Sequence, residues 1–107
     1  MNMKLNLLKK DRYIKDITKE EMLEILKKVK GIVLLDVRSI QEYEEGHISG
    51  AINIPFYEIE QTAERIIKDK NSIIVVYCNA GIRSKKAIKI LKKLGYKNLY
   101  NVNEGIE

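Results

Sequence analysis

The residue types best suited to chemistry lie in one stretch, Cys78-Asn79-Ala80-Gly81-Ile82-Arg83-Ser84, which holds the only cysteine of the chain. A cysteine acts as a nucleophile in its thiolate form, and a free-thiol pKa of roughly 8.5 falls to about 3.5 to 7.5 at a helix amino terminus or beside a cation. The flanks of the stretch offer both aids. Ahead of it, Ile73-Ile74-Val75-Val76-Tyr77 is a continuous apolar run, the pattern of a strand buried on both faces of a parallel sheet. Behind it, Ala87, Ile88, Leu91 and Leu94 recur at helical spacing, and Gly95 supplies a stop signal. The loop therefore joins the carboxyl end of a central strand to the amino end of a helix, the place where open α/β sheets bind ligands.

Backbone N–H groups of a first helical turn have no partner within the helix and point at such a loop. Each hydrogen bond to a charged acceptor contributes roughly 1.5 to 3 kcal/mol, against roughly 0.3 to 1 kcal/mol from the helix dipole, so inward amides dominate. Gly81 supplies the positive φ that lets a loop curl its amides around one centre. Arg83, Lys85 and Lys86 break the acidic preference of a first helical turn. Three cations around a cysteine would attract a small anion; in a chain this rich in lysine, a solvated face is the competing reading.

The rest of the chain has to position that loop. With 107 residues, 45% hydrophobic and 33% charged, the composition is that of one globular domain able to bury a core without staples. The net charge of +5 is dispersed, and no stacking motif accompanies it. We read it as solubility plus attraction for small anions, with no nucleic-acid partner. One cysteine excludes an internal disulfide and leaves no second thiol to resolve an adduct on Cys78. One histidine, with carboxylates at no ligand spacing, implies neither metal nor cofactor. Residues 1–12 read as a mobile leader before a single domain over 13–107. Asn6 and Lys9-Lys10 interrupt the apolar start, and no small-residue cleavage site follows, so no secretory signal is expected. No stretch approaches the roughly 18 apolar residues of a membrane span, and the cytoplasm is the default compartment.

Along the chain, Tyr13 to Ile17 reads as a short strand, and Thr18-Lys19-Glu20-Glu21 as a capping box opening a helix with Met22, Leu26 and Val29 as its apolar stripe. Lys30-Gly31 closes that helix, and Ile32-Val33-Leu34-Leu35 is the next buried strand. Ser39-Ile40-Gln41-Glu42 is a second capping box, beginning a short helix that Gly46 ends. Ala51 to Ile54 reads as an edge-like strand ended by Pro55. Ile59, Ala63, Ile66 and Ile67 mark the apolar face of a helix near 57–68, and Asn98 to Val102 is the last strand. Such alternation means an α/β fold, a parallel sheet covered on both sides. Asp36 and Arg38, at the carboxyl end of a strand, suit acid-base chemistry or a structural pair. His47 could activate Cys78 as a general base, although a histidine after a helix-ending glycine also suits a bond to local backbone.

From about Ile17 to Ile106 the chain resembles the rhodanese family of thiosulfate sulfurtransferases and their single-domain relatives. The resemblance rests on Leu35-Asp36-Val37-Arg38, on Glu42-Tyr43-Glu44-Glu45-Gly46-His47-Ile48-Ser49-Gly50-Ala51-Ile52-Asn53-Ile54-Pro55, and on Cys78 to Arg83 followed by Ser84, in that order. It implies a three-layer α/β/α rhodanese-like fold, with five parallel strands in the order 3-2-4-5-1 and helices on both faces. It casts Cys78 as the nucleophile that takes a sulfane sulfur from a donor, becomes a persulfide and passes the sulfur on. Amides of Asn79, Ala80, Gly81, Ile82 and Arg83 would cradle the outer sulfur. Arg83 would attract an anionic donor such as thiosulfate, and a thiol, cyanide or sulfur-relay protein would accept. Asp36, Arg38, Glu42 and His47 become framework, with Asp36 bonding loop amides and Arg38 pairing with an acid such as Glu42. The six-residue loop from Cys78 to Arg83 disfavours the cysteine phosphatases and arsenate reductases of this fold, whose cradle carries one residue more. A non-catalytic sulfur-delivery or interaction module is the other alternative. Relatives usually close the sheet with Gly-Gly and a tryptophan-bearing helix, where this sequence has Glu104-Gly105-Ile106-Glu107; a partly uncovered sheet face is the expectation.

Overall fold

A computed structural model of the protein describes residues 14–107; the expected leader and Tyr13 lie outside the described residues. Five short strands carry the apolar runs: β1 (Ile14–Ile17), β2 (Val33–Asp36), β3 (Ile52–Asn53), β4 (Ile73–Tyr77) and β5 (Asn98–Val102). Between them run helices α1 (Lys19–Lys28), α2 (Ile40–Glu45), α3 (Ile59–Ile66) and α4 (Ile82–Lys93), with a 3₁₀ turn at Phe56–Glu58. Both capping boxes form, Thr18 with Glu21 and Ser39 with Glu42, each side chain bonding the other residue's backbone N–H. They fix where α1 and α2 begin.

The strands are parallel in the order β1-β5-β4-β2-β3, the rhodanese-like order read from the opposite edge. Strand β4 is central, held between β2 (Leu34 beside Val75) and β5 (Val75 beside Tyr100). Its apolar run follows from that position, since both faces are covered and Ile74 to Tyr77 are all 0% exposed. Side chains alternate across a strand. Ile74, Val76 and then Cys78 join a core with Leu35, Ile59 and Ala63 of α3, and Ala87, Ile88 and Leu91 of α4. Val75 and Tyr77 join the opposite core with Leu34, Val102 and Met22 of α1, against which Tyr43 of α2 packs. The helices therefore sandwich the sheet in three layers, and the cysteine belongs to the α3–α4 side.

Four boundaries differ from the sequence reading, the smallest being β2, which runs over Val33–Asp36 rather than Ile32 to Leu35. Helix α1 stops at Lys28, and Val29 takes extended backbone (φ −115°, ψ 126°), which swings its side chain to 41% exposure. The buried stripe is Met22 with half-buried Ile25 and Leu26. The helix expected over 57–68 is split into the 3₁₀ turn and α3, and its buried face is Ile59, Ala63 and Ile67; Ile66 is 46% exposed. Strand β3 keeps only Ile52–Asn53, because it pairs with β2 alone and over two residues. After β5 the chain makes a tight turn instead of a helix, and half-buried Ile106 lies against the α1-side core. Beside α1 a shallow apolar groove is lined by Ile17, Ile25 and Val29.

Candidate active site

Cys78 leaves β4 at the carboxyl edge of the sheet, and its side chain is 1% exposed. Gly81, at φ 90°, caps α4 and turns the chain so that amides face the sulfur. The Gly81 N–H donates to Sγ at 3.1 Å and the Ser84 N–H at 3.3 Å. The Ser84 hydroxyl stands 3.6 Å from Sγ, accepts from the thiol, and donates to the Gly81 carbonyl at 3.1 Å. Burial pushes the thiol pKa up, but the Ser84 hydroxyl and the N–H groups of Ser84, Ala80 and Gly81 outweigh it and hold the thiol below its ordinary value. Cys78 is thus poised toward thiolate by fixed donors.

The loop is backed by a segment that the sequence reading took only as a departure from the family's sheet closure. A Cβ at Gly81 would fall into the Asn103 carbonyl, and one at Gly105 (φ 74°) into the backbone of Asn79 and Ala80. The Ile106 N–H donates to the Cys78 carbonyl and the Glu107 N–H to that of Asn79, both at 3.1 Å. Residues 103–107 therefore clamp the loop from behind. A glycine just past the last strand was the available signal, but its partner lies 26 residues earlier in sequence, beyond the reach of local patterning.

Toward α2 the loop meets a closed polar network. Arg38 pairs with fully buried Asp36, Nη2 to Oδ2 at 2.8 Å and Nε to both carboxylate oxygens at 3.1 Å, and its Nη2 also donates to the Gly46 carbonyl at 2.6 Å. Asp36 also accepts from the Arg38 N–H at 2.9 Å. Arg38 Nη1 donates to Asn79 Oδ1 at 3.2 Å, and Asn79 Nδ2 donates to Glu42 Oε2 at 2.9 Å. Glu42 takes Arg83 bidentately, at 2.6 and 3.0 Å. This corrects the expected pairing: the partner of Arg38 is Asp36, two residues away and on the same turn, while Glu42 serves Arg83. The Arg83 hydrogen bonds, helped by the Ser39 N–H, hold the Glu42 carboxyl down at about 2. Arg83 therefore comes to the mouth already neutralised, and the expected trio of free cations is reduced to Lys85 and Lys86. His47 bonds its own turn, Nδ1 2.8 Å from the Tyr43 carbonyl, and its ring stacks on Tyr43 at 3.7 Å.

Toward α4 the surroundings reverse. A recess of about 270 Å³ is lined by Ala80, Gly81, Ile82, Lys85, Lys86, Lys89 and Asn103. Ile82 is 66% exposed, and the Lys86 ammonium lies 5.9 Å from the Phe56 ring centre. Among the described residues no three His, Cys, Asp or Glu side chains cluster to hold a metal ion, and no helix is long and apolar enough to cross a membrane.

Comparison with known proteins shows relatives in both sequence and fold. The chain is 42% identical over 67 residues to the thiosulfate sulfurtransferase PspE of Escherichia coli, covering 63% of this chain and 64% of that protein. It is 41% identical over 73 residues to the putative sulfur carrier protein YrkF of Bacillus subtilis, covering 68% of this chain and 38% of that one. The chain thus spans less than two thirds of either relative. A solved rhodanese with anions from Escherichia coli superposes with a TM-score of 0.63 at 39% identity, over 66% of this chain and 84% of that one. The family description Rhodanese-like domain matches residues 18–107, from the N-cap of α1 through the clamp behind Cys78, and the chain belongs to that family.

Proposed function

We propose that the protein transfers a sulfane sulfur through a persulfide on Cys78, with thiosulfate or another persulfide as donor. The observation that carries this reading is the buried Sγ facing two backbone N–H donors at 3.1 and 3.3 Å. With thiosulfate, the Cys78 thiolate attacks the outer sulfur, the sulfur–sulfur bond of the donor breaks, and sulfite leaves with the bonding pair. The outer sulfur, now an anion on Cys78, is held by the loop amides of residues 79–83. A thiol or cyanide then attacks that sulfur, and Cys78 departs as thiolate. Oriented amides do for this anion what an oxyanion hole does for oxygen: they stabilise charge where it develops.

Arg83 and Glu42 position the loop as a neutral pair in this scheme, while Lys85 and Lys86 supply the field that draws an anion to the mouth. The name of PspE supports the thiosulfate reaction, and that of YrkF, a putative sulfur carrier protein, supports carriage of sulfur. The chain's single cysteine favours an acceptor from outside. A reducing cytoplasm would provide it as small thiols.

Intact mass after incubation with thiosulfate tests the reading. We expect a gain of ~32 Da on Cys78, reversed by cyanide with release of thiocyanate and absent in Cys78→Ser. An unchanged mass, with the thiol still open to an alkylating reagent, would refute the thiosulfate reaction.

A further inference from the structure

Resting on the sulfur-transfer reading, we infer that the α4 flank of the mouth docks an acidic protein that presents its sulfur as a cysteine persulfide. Three observations converge on this. First, Glu42 occupies Arg83 through both guanidinium nitrogens, so the loop offers a small dianion no uncompensated fork to grip. Second, the open positive charge is spread along a helix. Lys85 and Lys89 line both the recess at Gly81 and an adjoining one of about 340 Å³ that includes Ile88 and Asn101, and Lys86 sits above Phe56. Among the described residues none of these three lysines is ion-paired. The acid of the second recess, Asp16, accepts from Asn101 Nδ2 at 3.1 Å.

Third, the same rim exposes apolar side chains. Ile82 is 66% exposed and Tyr57, next to Phe56, 61%. Ile82 begins α4 one turn before Lys86, and Tyr57 follows Phe56, the ring under that lysine, with the two rings 5.7 Å apart. A thiosulfate ion touches one or two charges and gains nothing from Ile82 or Tyr57. A protein surface gains from all of them: apolar and aromatic anchors give an interface its energy, and complementary charge gives it speed and orientation. The partner that fits carries an apolar residue beside its cysteine and aspartates or glutamates around it. In the transfer, the Cys78 thiolate attacks the partner's outer sulfur and the partner's sulfur–sulfur bond breaks. The outer sulfur keeps its proton, and the partner leaves as thiolate with the bonding pair.

Two short synthetic peptides test this, each with one cysteine persulfide between leucines, one with flanking glutamates and the other with lysines. The readout is the rate of Cys78 persulfide formation by intact mass. We expect the acidic peptide to donate at least about tenfold faster at low salt, and the ratio to collapse near 1 M salt, where the screening length is about 3 Å. The double variant Lys89→Glu, Tyr57→Asp alters two exposed side chains. It should erase the ratio while slowing sulfur uptake from free cysteine persulfide by no more than about a few-fold, the effect of one reversed charge at the recess. Equal rates from both peptides, or a ratio the double variant does not alter, would overturn the docking surface and leave sulfur carriage standing. No sulfur on Cys78 from peptides, cysteine persulfide or thiosulfate would overturn both.

Discussion

The two flanks of the Cys78 loop use the same currency of charge in opposite ways. Toward α2, Asp36, Arg38, Glu42, Asn79 and Arg83 satisfy one another and the loop in a closed chain of hydrogen bonds. Toward α4, Lys85, Lys86 and Lys89 face the recess beside exposed Ile82. The guanidinium fork suits the first task, because it is planar and presents five donors in fixed directions. The lysine ammonium suits the second, as a well-hydrated point charge on a flexible stem that adds field without fixing shape. A cation in this family of sites is therefore informative only together with its partners.

The sharpest way to break the comparison is to remove one cation from each flank. Arg38→Met leaves the Asp36 carboxylate, 0% exposed, without its cation, and breaking a buried pair from one side costs about 3–5 kcal/mol. Lys89→Glu, on an exposed helical position, should stay within about 0.5 kcal/mol of the parent. Urea unfolding of the two variants measures the difference. Equal midpoints would mean that the α2 network is no more structural than the surface lysines.

The clamp behind the loop comes next in size. Gly105→Ala forces a Cβ into the backbone of Asn79 and Ala80 at φ 74°, for about 1–3 kcal/mol of strain and overpacking. The displaced amides should slow sulfur uptake as well. Gly31→Ala makes the control: its φ is also positive, at 81°, but nothing lies within 4 Å of the added carbon. If both variants lose the same stability and both take up sulfur normally, residues 103–107 do not hold the loop.

Elements whose signals are local were legible in the sequence. The strand order came with the family resemblance, the capping boxes lie within four residues, and the apolar run of β4 reports its own burial. What escaped reading depended on distance. Arg83 and Glu42 are 41 residues apart, and no periodicity says that an acid of α2 reaches the first turn of α4. Arg38 was assigned to an acid such as Glu42 through the family resemblance, whereas the Arg38 side chain folds back onto Asp36, two residues away. Val29 was misplaced because helical spacing continues past Lys28, where the backbone leaves the helix; Ile66 ends α3 still helical, and the buried place there goes to Ile67, whose backbone has turned extended. Gly105 was visible as a glycine, but not as the contact that makes it necessary.

Glu42→Gln sharpens the comparison by making the α2 flank resemble the other. Removing the carboxylate charge leaves Arg83 uncompensated near Cys78. A unit charge about 4 Å away is worth about 1 kcal/mol in water, so thiosulfate kcat/KM should rise a few-fold at low salt. The acid range gives a second readout. Because the folded Glu42 carboxyl sits at about 2, below its ordinary 4.5, its contribution to stability is full above the ordinary value and is lost as pH falls from there toward 2. The variant should lack that part of the acid transition. A glutamine variant with unchanged kcat/KM and an unchanged acid profile would show that the ion pair sets neither charge nor shape at the mouth.

Ser84→Ala probes the cradle between the flanks and carries the smallest expected effect. Once the thiol ionises, the hydroxyl can turn its hydrogen from the Gly81 carbonyl to Sγ, joining the amides that hold the Cys78 thiol below its ordinary value against the opposing push of burial. Losing one hydrogen bond of about 0.5–1.5 kcal/mol should raise the thiol pKa toward its ordinary value. The amides at 3.1 and 3.3 Å remain, so most of the thiolate stabilisation should survive. The rate of alkylation against pH reads the midpoint directly. The sign is fixed by the lowered folded value: thiolate stabilisation of the fold is present above the ordinary thiol pKa and is lost as pH falls through the folded one. In the alanine variant the loss starts from the same ordinary value but is complete at a higher pH, because only the folded value moves. An unmoved midpoint would assign the whole shift to the backbone amides, and would reduce Ser84 to holding the Gly81 carbonyl.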